Sequence, residues 1–405
     1  MPVGEKQLKI LAFPYSSYQA LICDGSIRCG KTSLMSVAFV DWAMREFDRK
    51  HFILLGHTVG SAIRNVVDPY MDMTYARERY LIDFSSSSGV MTIRSGCREN
   101  YIHVFGADNS RSFKKIQGMT AAGLFVDEVA LCERSAVEQA MGRCSVDGSR
   151  YWFNCNPDSP RHWFHEEWIL RADEKNALRL HFTLDDNPGL SQEVIDRYNR
   201  QYHGVFHDRY IKGLWVVAEG LVYQLDDVDW KVPREEAEGD GCGEWWLSCD
   251  YGITNPFAAL LWRVTPNCAY VVDEYYFDSR REGRRRTDAE HMDAIERLCE
   301  GRNVQGLVID PSATSFKEEA WRRGRLAVYD ADNKVLDGIA LTDQMLHGGS
   351  IKVSEGCSGI SSEMGLYRWD DKTARDAVIK EHDHAMDAMR YMAYTQLRYM
   401  LKGYA

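Results

Sequence analysis

The chain has 405 residues, 45% hydrophobic and 27% charged, with a net charge of −11. At about 150 residues per domain this suggests two or three globular domains, each able to bury a core without covalent staples. The acidic balance argues against a wholesale nucleic-acid coat and leaves room for a local basic track. Eleven cysteines run from Cys23 to Cys357 without a CxxC pair, which fits thiols in a reducing cytosol better than a disulfide framework or a zinc ribbon. "MPVGEKQLKI" lacks the apolar core of a signal peptide, and "SLMSVAFVDWAM" is interrupted by Asp41 and too short to span a bilayer. A cytoplasmic protein with no membrane association is expected.

In chain order, the strand-like "ALICDG" leads into a glycine loop, and Lys31 to about Asp48 reads as a helix. "HFILLG", "YIHVFGA", "GLFVDE" and "YWFNCNP" read as strands; alternation with helices predicts a parallel sheet covered on both faces. The acidic, Gly-rich stretch Val232 to Glu244 marks a composition shift. It divides the chain into residues 1–220, a linker at 221–243 and residues 244–405. Beyond it come three strands ("WWLSCDYG", "PFAALLWRV", "AYVVDEYYF"), a helix from about Thr287 to Cys299, the strand "GLVID" and a closing helix carrying "HDHAMDAMRYMAYTQLRYM". That order predicts a ribonuclease-H-like fold. The fold class is α/β: an N-terminal P-loop NTPase domain with a parallel sheet flanked by helices, plus a C-terminal ribonuclease-H-like nuclease domain.

Gly25, Gly30, Lys31 and Thr32 satisfy G-x-x-x-x-G-K-[ST] in full. Backbone N–H groups from Gly25 through Ser26, Ile27, Arg28, Cys29 and on to Ser33 would curl around the phosphates of ATP, helped by the following helix N-terminus. Lys31 would reach the β- and γ-phosphates and Thr32 would ligate Mg²⁺. At the end of "GLFVDE", Asp127 would hold that Mg²⁺ and Glu128 would polarise the attacking water. Arg28 either lies against the γ-phosphate, where such an arginine gives about 10³–10⁵ in rate, or points to solvent. Cys29 reads as a small filler. Asn154 and Asn156 either sense the γ-phosphate or form an Asx turn before Pro157. Tyr18 and Gln19 are candidate adenine contacts.

A second constellation lies downstream. Asp250 and Asp310 end strands, and Asp387 sits on the last helix. Together they could hold two Mg²⁺ or Mn²⁺ ions that clamp the attacking and leaving oxygens of a phosphodiester. His384 shares a helical face with Asp387 and could be a ligand or a proton carrier, and Glu274 is a weaker fourth acid. "RREGRRR", with five arginines from Arg280 to Arg286, reads equally as a solvated hairpin tip or a phosphate track.

With both constellations in view, the chain resembles the large subunit of a tailed-bacteriophage terminase. The resemblance is carried by "GSIRCGKT", "SFKKIQGMT" before "GLFVDEVAL", "YWFNCNPDSPRHWF", "GVFHDRYIKGLWVVAEGLVY", "SCDYGITNP", "VIDPSA" and "DHAMDAMRY". It implies an ATPase that drives double-stranded DNA into a procapsid and a metal-dependent endonuclease that cuts concatemers. It also implies a portal protein and a small terminase subunit as partners, a homo-oligomeric ring during packaging with a monomer in isolation, and the cytoplasm of the host bacterium as location. By position Lys31, Thr32 and Arg28 match the family's phosphate loop, Asp127 and Glu128 its acidic pair, and Asn154 and Asn156 its coupling motif. Asp250, Asp310 and Asp387 match the nuclease acids, and His384 a histidine of some members. Some members carry a trans-acting arginine where this chain has Gln117; Arg111, Lys114, Lys115, Arg134 or Arg143 are the substitutes at hand. Two rivals are a helicase-like repair ATPase with an attached nuclease, and a nucleotide-dependent assembly factor whose nuclease domain is inactive.

Overall fold

The computed structural model describes residues 3–108, 116–240, 242–252, 256–370, 373 and 376–404. The chain forms two compact units, one of residues 1–199 with 205–217, the other of 200–204 with 218–405.

The first unit is built on eight strands: β1 (Ala20–Gly25), β2 (His51–Gly56), β3 (Leu81–Ser85), β4 (Val90–Ser95), β5 (Arg98–Gly106), β6 (Gly123–Val126), β7 (Arg150–Cys155) and β8 (Ala177–Phe182). Their order is β3-β4-β5-β2-β6-β7-β1-β8. From β5 to β8 every pairing is parallel, while β3, β4 and β5 form an antiparallel edge. Strand alternation sends side chains to opposite faces. Leu21, Phe52, Leu54, Phe125 and Trp152 therefore join one core with the Lys31–Glu46 helix, and Ile22, Ile53, Leu55, Val126 and Phe153 join the other. Parallel strands buried on both faces read as near-continuous apolar runs. β1, β2, β6 and β7 have that character. β3 and β4 are half-exposed with no such run, and "ALRLHF" of β8 mixes Arg179 and His181 into its alternation; these three strands lie outside the sequence reading.

In the second unit, β9 (Lys231–Val232), β10 (Glu244–Asp250), β11 (Phe257–Val264), β12 (Ala269–Phe277), β13 (Val304–Ile309), β14 (Val328–Asp330) and β15 (Ile351–Ser354) form a mixed sheet ordered β14-β13-β10-β11-β12-β15-β9. β10, β11 and β12 meander antiparallel, and the outer strands pair parallel. Leu247, Cys249, Ala259, Leu307 and Ile309 on one face pack against Met292, Ile295 and Phe316 of the Asp288–Leu298 and Thr314–Arg323 helices. The helix His384–Met392 packs on β10 and β11. The stretch expected as a linker contributes to this unit: β9 pairs with β15, and the buried Arg263 guanidinium donates to the carbonyls of Glu236, Ala237 and Cys242. One cation satisfying three carbonyls holds a stretch whose composition alone reads as loose. Among the described residues no helix is long and apolar enough to cross a membrane.

Candidate functional site

The glycine loop closes β1 and opens the Lys31–Glu46 helix. Gly25 has φ +131°, and a Cβ there would lie 1.9 Å from the Phe182 carbonyl oxygen, so only glycine fits. Gly30, φ +83°, is the N-cap of the helix. Arg28 and Glu128 also hold left-handed backbone, φ 56° and 54°, a strain that proteins concentrate at working sites.

The Lys31 ammonium donates to the carbonyls of Gly25 (3.0 Å) and Ser26 (2.6 Å) and to Asn156 Oδ1 (3.2 Å). The Asn156 side-chain Nδ2 donates to Glu128 Oε1 at 3.4 Å, and the Asn156 backbone N–H donates to Glu128 Oε2 at 3.3 Å. Asn154 performs a parallel task for the other acid. Its Nδ2 donates to Asp127 Oδ1 (2.9 Å) and Thr32 Oγ1 (3.2 Å), while its Oδ1 accepts the Glu128 N–H (2.8 Å). Asp127 also accepts from Thr32 Oγ1 and from Asn65 Nδ2. Burial raises Asp127 and pushes Glu128 up to about 7, with the Asp127 charge adding to the Glu128 rise. A carboxyl poised near neutrality suits proton abstraction from water.

Residues Ile27 to Ser33, Glu128 and Asn156 open on a cleft of about 480 Å³, closed by Asn187, Gly189 and Leu190. Gly25 and Ser26 lie behind this wall. Arg28 is exposed at the rim, while Cys29 is buried, its thiol raised by that burial and unsuited to nucleophilic attack. Tyr18 and Gln19 do not line the cleft; the N-terminal helix instead sends Gln7, whose Nε2 donates to the Cys29 carbonyl.

Behind the loop lies a support that sequence reading passed over. Asp24 is fully buried, receives both arms of Arg179 (2.9 and 2.8 Å), and is bonded to His181 (3.2 Å) and Trp215 Nε1 (3.0 Å). Burial opposes ionisation, but the His181 and Arg179 hydrogen bonds hold the carboxyl well below the usual range. Gly213 sits against Gly25 and Ser26, where a Cβ would come within 3.0 Å of both, and Tyr210 accepts the Ile27 N–H. Residues 210–215 thus back the loop directly. An acid directly before the first loop glycine is the one local sign of this support. Arg179 and Trp215 are far along the chain and announce nothing. Of the substitutes for the trans-acting arginine, Arg134 is paired with Glu138 and Glu167, and Arg143 donates to Gln139. Gln117 is exposed, and Arg111, Lys114 and Lys115 lie outside the described residues.

In the second unit, Asp250 ends β10 and its Oδ2 meets His384 Nδ1 at 2.8 Å. Asp387, one turn along from His384, is paired with Lys380 (3.2 Å) and Arg390 (2.9 Å). Asp310, just past β13, accepts from the Ser312 N–H, Asn333 Nδ2 (2.6 Å) and the Tyr391 hydroxyl (3.1 Å). Burial raises Asp250, and the facing Asp387 adds to the rise while His384 opposes it. Burial would lower His384, but the Asp250 carboxylate raises it. The Ser312 and Tyr391 donors hold Asp310 down against its burial. After burial, the charges of Asp387, Asp250 and Asp310 all raise the Tyr391 hydroxyl, so the three acids share one neighbourhood.

Among the described residues no three His, Cys, Asp or Glu side chains are grouped to hold a metal ion as they stand. The reason is electrostatic: carboxylates brought together in a partly buried site recruit donors and cations, and here His384, Lys380, Arg390, Asn333 and Tyr391 fill that role. The donor set nevertheless suits a hard divalent cation, since the charge of Asp387 raises Asp250 and a cation between carboxylate oxygens relieves that conflict. Glu274, the weaker candidate for a fourth acid, accepts the backbone N–H groups of Gly359 and Ile360, one on each oxygen. The arginine run lies in an exposed turn after β12, with Arg286 drawn back onto Tyr275 and Phe277. A separate cleft of about 550 Å³ beside Arg297, Cys299 and Arg325 contains none of the three acids.

These folds and sites define a nucleotide-binding α/β ATPase unit joined in one chain to a ribonuclease-H-like unit. The family model described as "Terminase large subunit, T4likevirus-type, N-terminal" matches residues 22–229, and "Terminase RNaseH-like domain" matches 257–395. The large terminase of a thermophilic bacteriophage is 41% identical with a TM-score of 0.92, covering 98% of this chain and 100% of that one. The same terminase in complex with ATP-gamma-S is 40% identical with a TM-score of 0.88, again covering 98% and 100%. The terminase large subunit of Escherichia phage T5 is 26% identical over 231 residues, 54% of this chain and 52% of that protein, so the match spans about half of that relative. This chain belongs to the terminase large subunit family.

Proposed function

We propose that this chain is a viral DNA-packaging motor and nuclease: it hydrolyses ATP to drive double-stranded DNA into a procapsid and cuts concatemeric DNA. The observation that carries this reading is the coexistence, in one chain of this family, of a glycine loop wired to two acids through Asn154 and Asn156, and three strand- and helix-borne aspartates around Tyr391.

In the first unit, the loop N–H groups and Lys31 would bind the phosphates of ATP, and Thr32 and Asp127 would hold Mg²⁺. Glu128 takes the proton of the attacking water, and its raised affinity for protons matches that task. Arg28 at the rim of the cleft stabilises charge on the transferred phosphoryl group. Asn156 is bonded to Lys31 and to Glu128 and so registers both the phosphate grip and the base.

In the second unit, Asp250, Asp310 and Asp387 would hold divalent ions, Mg²⁺ or Mn²⁺, that polarise the phosphodiester and its attacking water. His384, held by Asp250, orients that carboxylate and can carry a proton to the leaving oxygen. Arg281, Arg284 and Arg285, exposed in their turn, give sequence-independent phosphate contacts to duplex DNA. The partners follow from the same reading: the portal, a small terminase subunit, and further copies of this chain in a ring in the host cytoplasm.

Plasmid incubated with the purified chain and Mn²⁺ tests the nuclease half. Nicking that disappears in Asp250→Ala supports it, and intact plasmid under every divalent metal would leave an inactive domain. ATP turnover stimulated by purified portal and linear duplex tests the motor half; unwinding of a forked duplex would point to a helicase.

A further inference from the structure

The helix carrying His384 and Asp387 starts without a cap of its own. Its N-cap residue, Asp383, makes no side-chain capping bond, and the first N–H groups of a helix have no partner within it. The partner comes from elsewhere. Glu363, 2% exposed at the end of the Ser358–Met364 helix, accepts the Ala385 N–H at 2.6 Å and the Met386 N–H at 3.4 Å through Oε2. Its Oε1 accepts the Tyr276 hydroxyl at 2.6 Å.

The Ser358–Met364 helix is fixed in the same manner. Glu274, two residues before Tyr276 on the same face of β12, accepts the N–H groups of Gly359 (2.5 Å) and Ile360 (2.9 Å). Gly359 lies so close to the Tyr276 ring that a Cβ would come within 2.7 Å of it. One strand therefore fixes a first helix through Glu274, and that helix fixes a second through Glu363. Three donors converge on the Glu363 carboxylate, which also meets the positive end of the helix dipole. None of these contacts touches the three aspartates, and none leaves a local sequence signature.

We propose that Glu363, braced by Tyr276, is a positioning residue of the nuclease centre, setting the first turn of the His384–Met392 helix so that His384 meets Asp250 and Asp387 faces it. This rests on the nuclease reading given above. A residue that merely stabilises the fold would affect the whole unit. A residue that sets one turn changes that turn and the chemistry it carries.

The test compares Glu363→Ala, Glu363→Gln and Tyr276→Phe in the full chain. Mn²⁺-dependent plasmid nicking is read beside hydrogen exchange of peptides from the 384–392 helix, β10 and β13. In Glu363→Ala, kcat for nicking falls roughly 10–100-fold, the loss expected when a reacting group is misplaced by about 1 Å. The KM for DNA and the rate of ATP turnover stay unchanged. Exchange at Ala385 and Met386 quickens by about tenfold, while β10 and β13 keep their protection. Glu363→Gln retains an oxygen for the two N–H groups and an amide for the tyrosine oxygen, and recovers most of the rate. Tyr276→Phe keeps the bonds to the helix and loses less than Glu363→Ala.

Nicking at the wild-type rate in Glu363→Ala overturns the positioning role and leaves the nuclease reading standing. So does exchange that quickens throughout the unit with no rescue by glutamine. A wild-type chain that leaves plasmid intact overturns the nuclease reading, and this role with it.

Discussion

Glu128→Gln should make the protein more stable while abolishing ATP hydrolysis. Burial, with Asp127 beside it, pushes the Glu128 carboxyl from 4.5 up to about 7. The folded chain therefore keeps a proton between pH 4.5 and 7 that the unfolded chain releases, and stability falls as pH rises through that window. One pKa unit corresponds to about 1.4 kcal/mol, so the cost of the charge at full burial is about 3 kcal/mol. Glu128 keeps partial exposure at the cleft, and screening by solvent brings the expected difference to ~1–2 kcal/mol. Glutamine keeps the shape and an acceptor for the Asn156 N–H but carries no charge. Thermal melting of wild type and variant from about pH 5 to 8.5 is the assay. The two curves should nearly coincide at about pH 5 and separate by roughly 2–8 °C above pH 7, given ~2–4 °C per kcal/mol for a unit of this size. A separation independent of pH, or a variant less stable at about pH 8, would refute the argument that Glu128 is a strained buried base.

Lys31→Ala should remove ATP turnover and leave Mn²⁺-dependent nicking measurable, because the two constellations belong to different units; loss of both in a folded variant, checked by circular dichroism, contradicts separate sites. Asp24→Asn leaves Arg179 short of its counter-charge and should cost on the order of 3 kcal/mol in denaturant unfolding at neutral pH. Because the folded Asp24 carboxyl is held low, its contribution is present above pH about 4 and lost as pH falls toward the folded value, so wild type and Asp24→Asn should converge in acid. Failure to converge would remove the charge from the explanation.

The family and fold class were legible in the sequence because their signals are local. Gly25 to Thr32 is a contiguous loop whose glycines are dictated by backbone geometry, and β1, β2, β6 and β7 announce themselves as apolar runs buried on both faces. What escaped was non-local. β3 and β4 form a half-exposed antiparallel edge, β8 carries the polar residues that hold Asp24, and β9 joins its sheet beside the carbonyls that Arg263 collects. At the second site the three aspartates could be named from strand ends and a helix face. Their partners Lys380, Asn333 and Tyr391 could not, since nothing at those positions signals which carboxylate each will meet. Nor did anything at Glu274 announce the backbone N–H groups of Gly359 and Ile360 that it accepts.

Asn156 faces Lys31 with its oxygen and Glu128 with its nitrogen, and both atoms belong to one flat amide. Turning that plane about a single bond exchanges an attractive pairing for a repulsive one at both ends together. The side-chain contacts to the lysine and to the glutamate therefore change together when the amide turns, while the Asn156 backbone N–H keeps its own bond to Glu128.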